Sequence, residues 1–339
     1  MKHWNHALRL VAFAALTACA PVDGLDRDVA AISYAPATRR QQPMADFNGD
    51  RFADYASFDT ATGLFTVMAN LRNGAFAANG ASGHAEPTMT RWEQWVGDFT
   101  GDGLGDFADH NLATGAFFVH RNLGNGTFAQ TVTWGTATTR VGAGWEALVA
   151  DFTGDGAVDF ADRNLTTGEF FVRRNRRDGT FDGLTERWGR GLSHAGSGWE
   201  TVVADFTGDR YADYADRNLA TGEMWIHENL RNGTFAEAAT LNRVWGYAKT
   251  AGGVEYATIV GDFTGDGFAD FADVSRTYRT FYVHENLRNG AFAGFGVNWG
   301  TGSYTPLLFG VNAPGDPGTG DPGNGGDCPS APEVPCSIN

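Results

Sequence analysis

Trp145-Glu-Ala-Leu-Val-Ala-Asp151-Phe-Thr-Gly-Asp-Gly-Ala-Val-Asp159-Phe-Ala-Asp-Arg-Asn164 reads as strand, tight loop, strand. Its first six residues are a short, largely apolar run of strand length, and its last six resume an extended pattern. Between them lie Asp and Gly, the residues that favour turns. The block recurs, with Asp-Phe-(Thr/Asn)-Gly-Asp beginning at Asp46, Asp98, Asp151, Asp205 and Asp262, at spacings of 52, 53, 54 and 57. Self-similarity at such a period marks equal supersecondary units that bury their apolar faces against one another.

The rest of each unit repeats too. A Thr-Gly turn at Thr114-Gly115, Thr167-Gly168 and Thr221-Gly222 separates strand B from a strand C such as Glu169-Phe-Phe-Val-Arg173. An Asn-Gly or Asp-Gly pair follows at Asn73, Asn125, Asp178, Asn232 and Asn289. Such pairs accept positive φ twice and predict a two-residue type I′ hairpin. Strand D is then expected to start at the recurrent Phe76, Phe128, Phe181, Phe235 and Phe292. Four short antiparallel strands per unit of about fifty residues is the size of a propeller blade. The prediction is an all-β fold, a β-propeller of about five four-stranded blades over residues 42–311. Tyr304–Val311, which lacks the Asp loop, is read as a closing strand that completes a blade begun at the N-terminus, where Pro43 spoils the first strand. An open solenoid of the same blades is the alternative.

In Asp98-Phe-Thr-Gly-Asp-Gly-Leu-Gly-Asp106 oxygen-bearing side chains fall at loop positions 1, 3, 5 and 9, and position 7 offers a carbonyl. Hard cations such as calcium take six to eight oxygens, which alternate residues of a tight loop can supply. The candidate metal ligands are Asp46, Asn48, Asp50, Phe52 and Asp54; Asp98, Thr100, Asp102, Leu104 and Asp106; Asp151, Thr153, Asp155, Ala157 and Asp159; Asp205, Thr207, Asp209, Tyr211 and Asp213; and Asp262, Thr264, Asp266, Phe268 and Asp270. Up to five calcium ions are expected. Position 6 is Arg51 in the first loop and Arg210 in the fourth, so these two should bind more weakly. Asp residues that merely cap turns through backbone amides are the alternative.

At these residues the chain resembles the FG-GAP/VCBS repeat family of integrin-α-like propellers, over nearly all of residues 42–311. The resemblance implies calcium in the A–B hairpins on one face and ligands met by loops on the other. The family often has seven blades and includes adhesins, lectins and enzyme accessory modules, so fold alone does not give function.

Composition bounds the partners. The 339 residues carry 46 Gly, 42% hydrophobic content and a formal charge of −15, without a Lys/Arg cluster that could neutralise phosphates. Nucleic acid and acidic membrane surfaces are therefore excluded as partners. Residues 1–18 read as a signal peptide, with Lys2 and Arg9 before an apolar run, and Leu16-Thr-Ala-Cys19 resembles a bacterial lipobox. The expectation is an exported protein lipidated at Cys19 and held at the cell envelope, with a tether at 19–41; a secreted protein with an incidental Cys is the alternative. Cys328 and Cys336 are then left as a disulfide pair in a Gly/Pro/Asp-rich tail at 312–339.

Other repeating features are read as structural. Trp134, Trp188, Trp245 and Trp299, with Trp92, Trp145 and Trp199, are assigned to packing between blades in preference to sugar stacking. His120, His227 and His284 share one strand-C position with Met68 and Arg173 and are read as a solvent-facing rung. Asp109, Asp162, Asp216 and Asp273 are read as bonded to turn amides. No Ser/His/Asp order, phosphate loop or Cys/His zinc spacing breaks the repeat, so no catalytic residue is assigned. Non-repeating residues of the D–A connections, Arg91, Arg140, Arg190, His194, Tyr247, Lys249 and Tyr304, are the candidate ligand contacts. The expected role is a recognition or adhesion module for glycan or cell-surface protein. A structural scaffold is the alternative, and a polysaccharide-active enzyme is a third.

Overall fold

In a computed structural model, the described residues are 43–301 except 60–63, 78–81, 85–91, 112–113, 130–131, 137–143, 183–185, 191–197, 237–243, 248–255, 276–277, 279 and 295. They form twenty strands in five four-stranded antiparallel sheets, a five-bladed β-propeller. Blade 1 holds β1 (Met44–Ala45), β2 (Asp54–Asp59), β3 (Leu64–Met68) and β4 (Ser82–His84). Blade 2 holds β5 (Trp92–Gly97), β6 (Asp106–Asn111), β7 (Ala116–His120) and β8 (Val132–Thr136). Blade 3 holds β9 (Trp145–Ala150), β10 (Asp159–Asn164), β11 (Glu169–Arg173) and β12 (Glu186–Arg190). Blade 4 holds β13 (Trp199–Ala204), β14 (Asp213–Asn218), β15 (Glu223–His227) and β16 (Gly246–Tyr247). Blade 5 holds β17 (Tyr256–Gly261), β18 (Asp270–Ser275), β19 (Thr280–His284) and β20 (Val297–Thr301). The first strands β1, β5, β9, β13 and β17 each lie against the next, and β17 lies against β1, so the ring closes.

A blade inside a ring is covered on both faces, which explains strand B. In β6, β10 and β14 the first five residues are all buried, polar ones included. Five apolar clusters fill the gaps between successive blades. Between blades 2 and 3, Trp95, Phe99, Phe117 and Trp134 pack against Val149, Phe160 and Phe181. The cluster between blades 5 and 1 brings Phe263, Phe281 and Trp299 onto Tyr55, Met68 and Phe76. Burying such side chains contributes about 1.5–3 kcal/mol each relative to exposure. Trp134, Trp188, Trp245 and Trp299 therefore sit between blades as expected. Trp92 and Trp145 do not share that place, because each packs on a strand-C ring of its own blade, Phe118 at 5.6 Å and Phe171 at 5.8 Å between ring centres.

Two local expectations are corrected. The Asn-Gly pairs are not two-residue type I′ turns. Leu71 N–H donates to Ala75 O, enclosing three residues, of which Arg72 (φ 58°) and Gly74 (φ 82°) are left-handed and Asn73 is not. Strand D does not begin at the recurrent Phe either. Phe76, Phe128, Phe181, Phe235 and Phe292 make a single bridge to Asn70, Asn122, Asn175, Asn229 and Asn286, and the D strands start later. The reason is packing, since the Phe side chain is needed in the gap between blades.

Closure works through the Asp loops. The position-8 N–H of each loop donates to the position-1 carbonyl of the preceding one: Gly105 to Asp46 at 2.6 Å, Val158 to Asp98 at 2.8 Å, Ala212 to Asp151 at 2.8 Å, Ala269 to Asp205 at 2.7 Å and Ala53 to Asp262 at 2.8 Å. A buried Asn completes each joint. Asn122 Nδ2 donates to Phe47 O of the preceding blade at 2.7 Å and to Gly105 O of its own at 3.0 Å. Asn70 does the same across the last joint, reaching Phe263 O at 3.0 Å. The expected closing strand, residues 304–311, lies outside the described residues, and blade 1 already has four strands of its own.

Candidate functional site

The ordering of strands puts the A–B Asp loops and the C–D turns on one face, and the B–C turns and D–A connections on the other. Within each loop the three aspartates have separate tasks. At position 1, Asp98 Oδ1 accepts from Gly101 N–H at 2.6 Å and Asp102 N–H at 3.1 Å, and Oδ2 accepts from Gly103 N–H at 2.7 Å. At position 5, Asp102 Oδ1 accepts from Leu104 N–H at 3.1 Å. At position 9, Asp106 Oδ2 accepts from Phe99 and Thr100 N–H, both at 3.0 Å, while Oδ1 accepts from Asn122 N–H at 2.7 Å. The position-9 aspartate thus ties the loop to the adjoining C–D turn. Gly103 at position 6 has φ 88°, and Arg51 and Arg210 take the same left-handed geometry at 72° and 74°. That is an uncommon conformation for a residue with a Cβ.

The position-5 carboxylate has a second partner in every blade, an arginine from beyond strand C. Arg72 meets Asp50, Arg121 meets Asp102, Arg177 meets Asp155, Arg231 meets Asp209 and Arg288 meets Asp266. The sequence reading missed these pairs because their members stand about twenty residues apart. The recurring Asn-Leu-Arg-Asn-Gly of blades 1, 4 and 5 is the signal that could have shown them.

Every donor is a hard oxygen, and the Thr100 and Thr207 hydroxyls are buried with no hydrogen-bond partner among the described residues. Burial, assisted by the other loop carboxylates, pushes the position-9 carboxyls up, Asp54 to about 6, Asp106, Asp159 and Asp270 to about 7 and Asp213 to about 8. A cation would relieve that crowding. Among the described residues, however, no three Asp, Glu, His or Cys side chains form a ready-made cage. The donors are hard oxygens of the kind such a cation takes, and in this structure the position-5 carboxylate is paired with its arginine.

These shifts set a pH dependence. The folded pKa values lie above the ordinary 3.8, so the folded chain holds extra protons; that stability is full below about pH 4 and is lost as pH rises through 6 to 8. Chelator-treated protein should melt several degrees lower at pH 9 than at pH 5. A melting temperature that is level or rising over that range would contradict the assignment.

Two predicted roles are corrected. His120, His227 and His284 are not solvent-facing but 4%, 1% and 3% exposed, stacked on Phe107, Tyr214 and Phe271. Nor do Asp109, Asp216 and Asp273 follow strand B. They lie within strand B, with His120 Nε2 at 3.0 Å from Asp109, His227 Nε2 at 3.4 Å from Asp216 and His284 Nε2 at 3.4 Å from Asp273. Asp162 is equally buried in β10. Charged groups extend this pattern between blades. Arg163 of blade 3 reaches Asp216 of blade 4 at 2.6 Å and Glu146 at 3.4 Å, and Arg217 of blade 4 reaches Glu200 at 3.1 Å and Asp273 of blade 5 at 4.0 Å. Burial opposes ionisation of Asp216, yet Arg163 and His227 outweigh it and hold its carboxyl below the usual range. This network is sealed from solvent and spans the joints between blades 3 and 4 and between blades 4 and 5.

On the opposite face Tyr247, at the end of β16, is 62% exposed. Arg190 ends β12. Arg91, Arg140, His194, Lys249 and Tyr304 lie outside the described residues, as do Cys19, Cys328, Cys336 and the segments 1–41 and 312–339.

No family model matches the chain, and no curated protein matches it. Among solved structures it is similar to a lectin of Agrocybe aegerita that recognises non-reducing terminal N-acetylglucosamine, at 20% identity and TM-score 0.45, covering 77% of this chain and 67% of the lectin. It is also similar to the Photorhabdus luminescens Tc holotoxin pore, at 18% identity and TM-score 0.44, covering 70% of this chain and 11% of the toxin chain. Likenesses this distant assign no ligand to the present chain.

Proposed function

We propose that this chain is an exported, calcium-binding recognition module of the FG-GAP/VCBS type, lipid-anchored at Cys19, which presents its D–A connections to glycan or cell-surface protein. The observation that carries the reading is the closed ring of five Asp loops on one face. It fixes the blades from that side and leaves the unlike connections of the other face free to vary, the usual division between scaffold and binding loops. Calcium would be held by positions 1, 3, 5 and 9 of each loop with the position-7 carbonyl, and would neutralise buried carboxylates. Weak contacts repeated around a ring gain by avidity.

Calcium titrated calorimetrically into chelator-stripped protein should bind at three to five sites and raise the melting temperature. No heat and no shift would end the metal reading. A glycan array in calcium then tests the ligand class, with competition by free saccharide as the expected result.

One observation favours an assembly role instead. Leu71, Leu123, Leu230 and Leu287 occupy one position in four blades on the Asp-loop face and are 46–50% exposed. That role predicts a single protein partner, captured by cross-linking and indifferent to saccharide.

A further inference from the structure

The arginines beside the Asp loops recur too regularly to be chance surface pairs. In blades 1, 3, 4 and 5 the arginine occupies a left-handed turn position, with φ of 58°, 58°, 59° and 55° at Arg72, Arg177, Arg231 and Arg288. A residue with a Cβ is strained there, and glycine would not be. Blade 2 does use glycine, Gly124 at φ 69°, and in that blade alone Arg121, three residues earlier, supplies the guanidinium. The turn residue changes and the ion pair survives. Contact is close, with Arg231 Nε and Arg288 Nε each 2.8 Å from the position-5 carboxylate. In blades 1, 4 and 5 the guanidinium also lies over the position-7 ring, 4.9 Å from Phe52, 5.5 Å from Tyr211 and 5.4 Å from Phe268. Where position 7 is Ala157, Arg177 packs toward Gly101 of the preceding loop instead.

Resting on the calcium reading above, we infer that these five arginines are resident counter-cations that compete with calcium for the position-5 carboxylates and so set the affinity of the loops. A guanidinium within hydrogen-bond distance satisfies one carboxylate oxygen and places a positive charge beside the incoming ion. Both effects lower affinity. In return the pair steadies the loop when calcium is scarce, although half-exposed pairs of this kind stabilise only slightly. Removing one such charge should tighten binding at that loop on the order of tenfold at low ionic strength, less in salt.

The test compares calcium chloride titrations of the full chain, stripped with chelator, with those of a variant carrying Arg72→Gln, Arg121→Gln, Arg177→Gln, Arg231→Gln and Arg288→Gln. The expected result is a tenfold lower calcium concentration at half-saturation in the variant, together with a lower melting temperature in chelator. Equal or weaker binding by the variant, with wild type binding normally, overturns the inference alone. No binding by either protein overturns the calcium reading and this inference with it. Should the fivefold variant fail to fold, Arg231→Gln and Arg231→Lys decide the matter at one loop. The glutamine should raise affinity there, and the lysine, which keeps the charge, should not.

Discussion

Arg163→Met should destabilise the propeller by about 3–5 kcal/mol, because it leaves Glu146 and Asp216 buried without their shared cation. Arg163 is fully buried between blades 3 and 4 and also lies over the rings of Phe170 and Tyr214, at 5.2 and 5.1 Å. One guanidinium serves two carboxylates unequally. Burial pushes Glu146 up to about 7 in spite of Arg163, whereas Asp216 stays ionised. The protein contains its own control for this experiment. At the joint between blades 5 and 1 the equivalent four positions are Ala257, Val274, Ser57 and Met68, a neutral solution to the same geometry. Transplanting it as Glu146→Ala, Arg163→Val, Asp216→Ser and His227→Met should recover at least half of the loss in urea denaturation. If Arg163→Met is harmless, or the fourfold variant is no better than the single one, the network does not act as described.

Asn70→Ala should cost roughly 2–4 kcal/mol and act first at the joint between blades 5 and 1. Its side chain donates to Phe263 O at 3.0 Å and Ala53 O at 3.3 Å and accepts from Arg72 N–H at 2.9 Å. Truncation leaves buried carbonyls unpaired at the one place where the ring is closed by its ends. Among the described residues, that joint has no counterpart of the charged network between blades 3 and 4 and between 4 and 5. Hydrogen exchange should therefore accelerate selectively in β1, β2, β17 and β18. Uniform acceleration over all five blades would show that Asn70 contributes only general stability. Asn229→Ala, whose joint between blades 3 and 4 also carries the buried Arg163–Asp216 pair, should open its joint less.

The sequence by itself determined the number of blades, the four-strand unit, the place of each Asp loop and the division into two faces. Those features are local: a turn residue limits its own φ and ψ, and an apolar run limits its own strand. The resident arginines were half legible, since the repeat displays them but not the aspartate each one meets. Only the tertiary structure decided the burial of His227, Asp216 and Arg163 and the closing of the ring through Asn70 and the Asp loops. The physical reason is that a blade in a propeller is covered on both faces. Alternation along a strand then separates two buried sides instead of an inside from an outside, and whether a polar side chain there meets water or a charge depends on the next blade, more than fifty residues away.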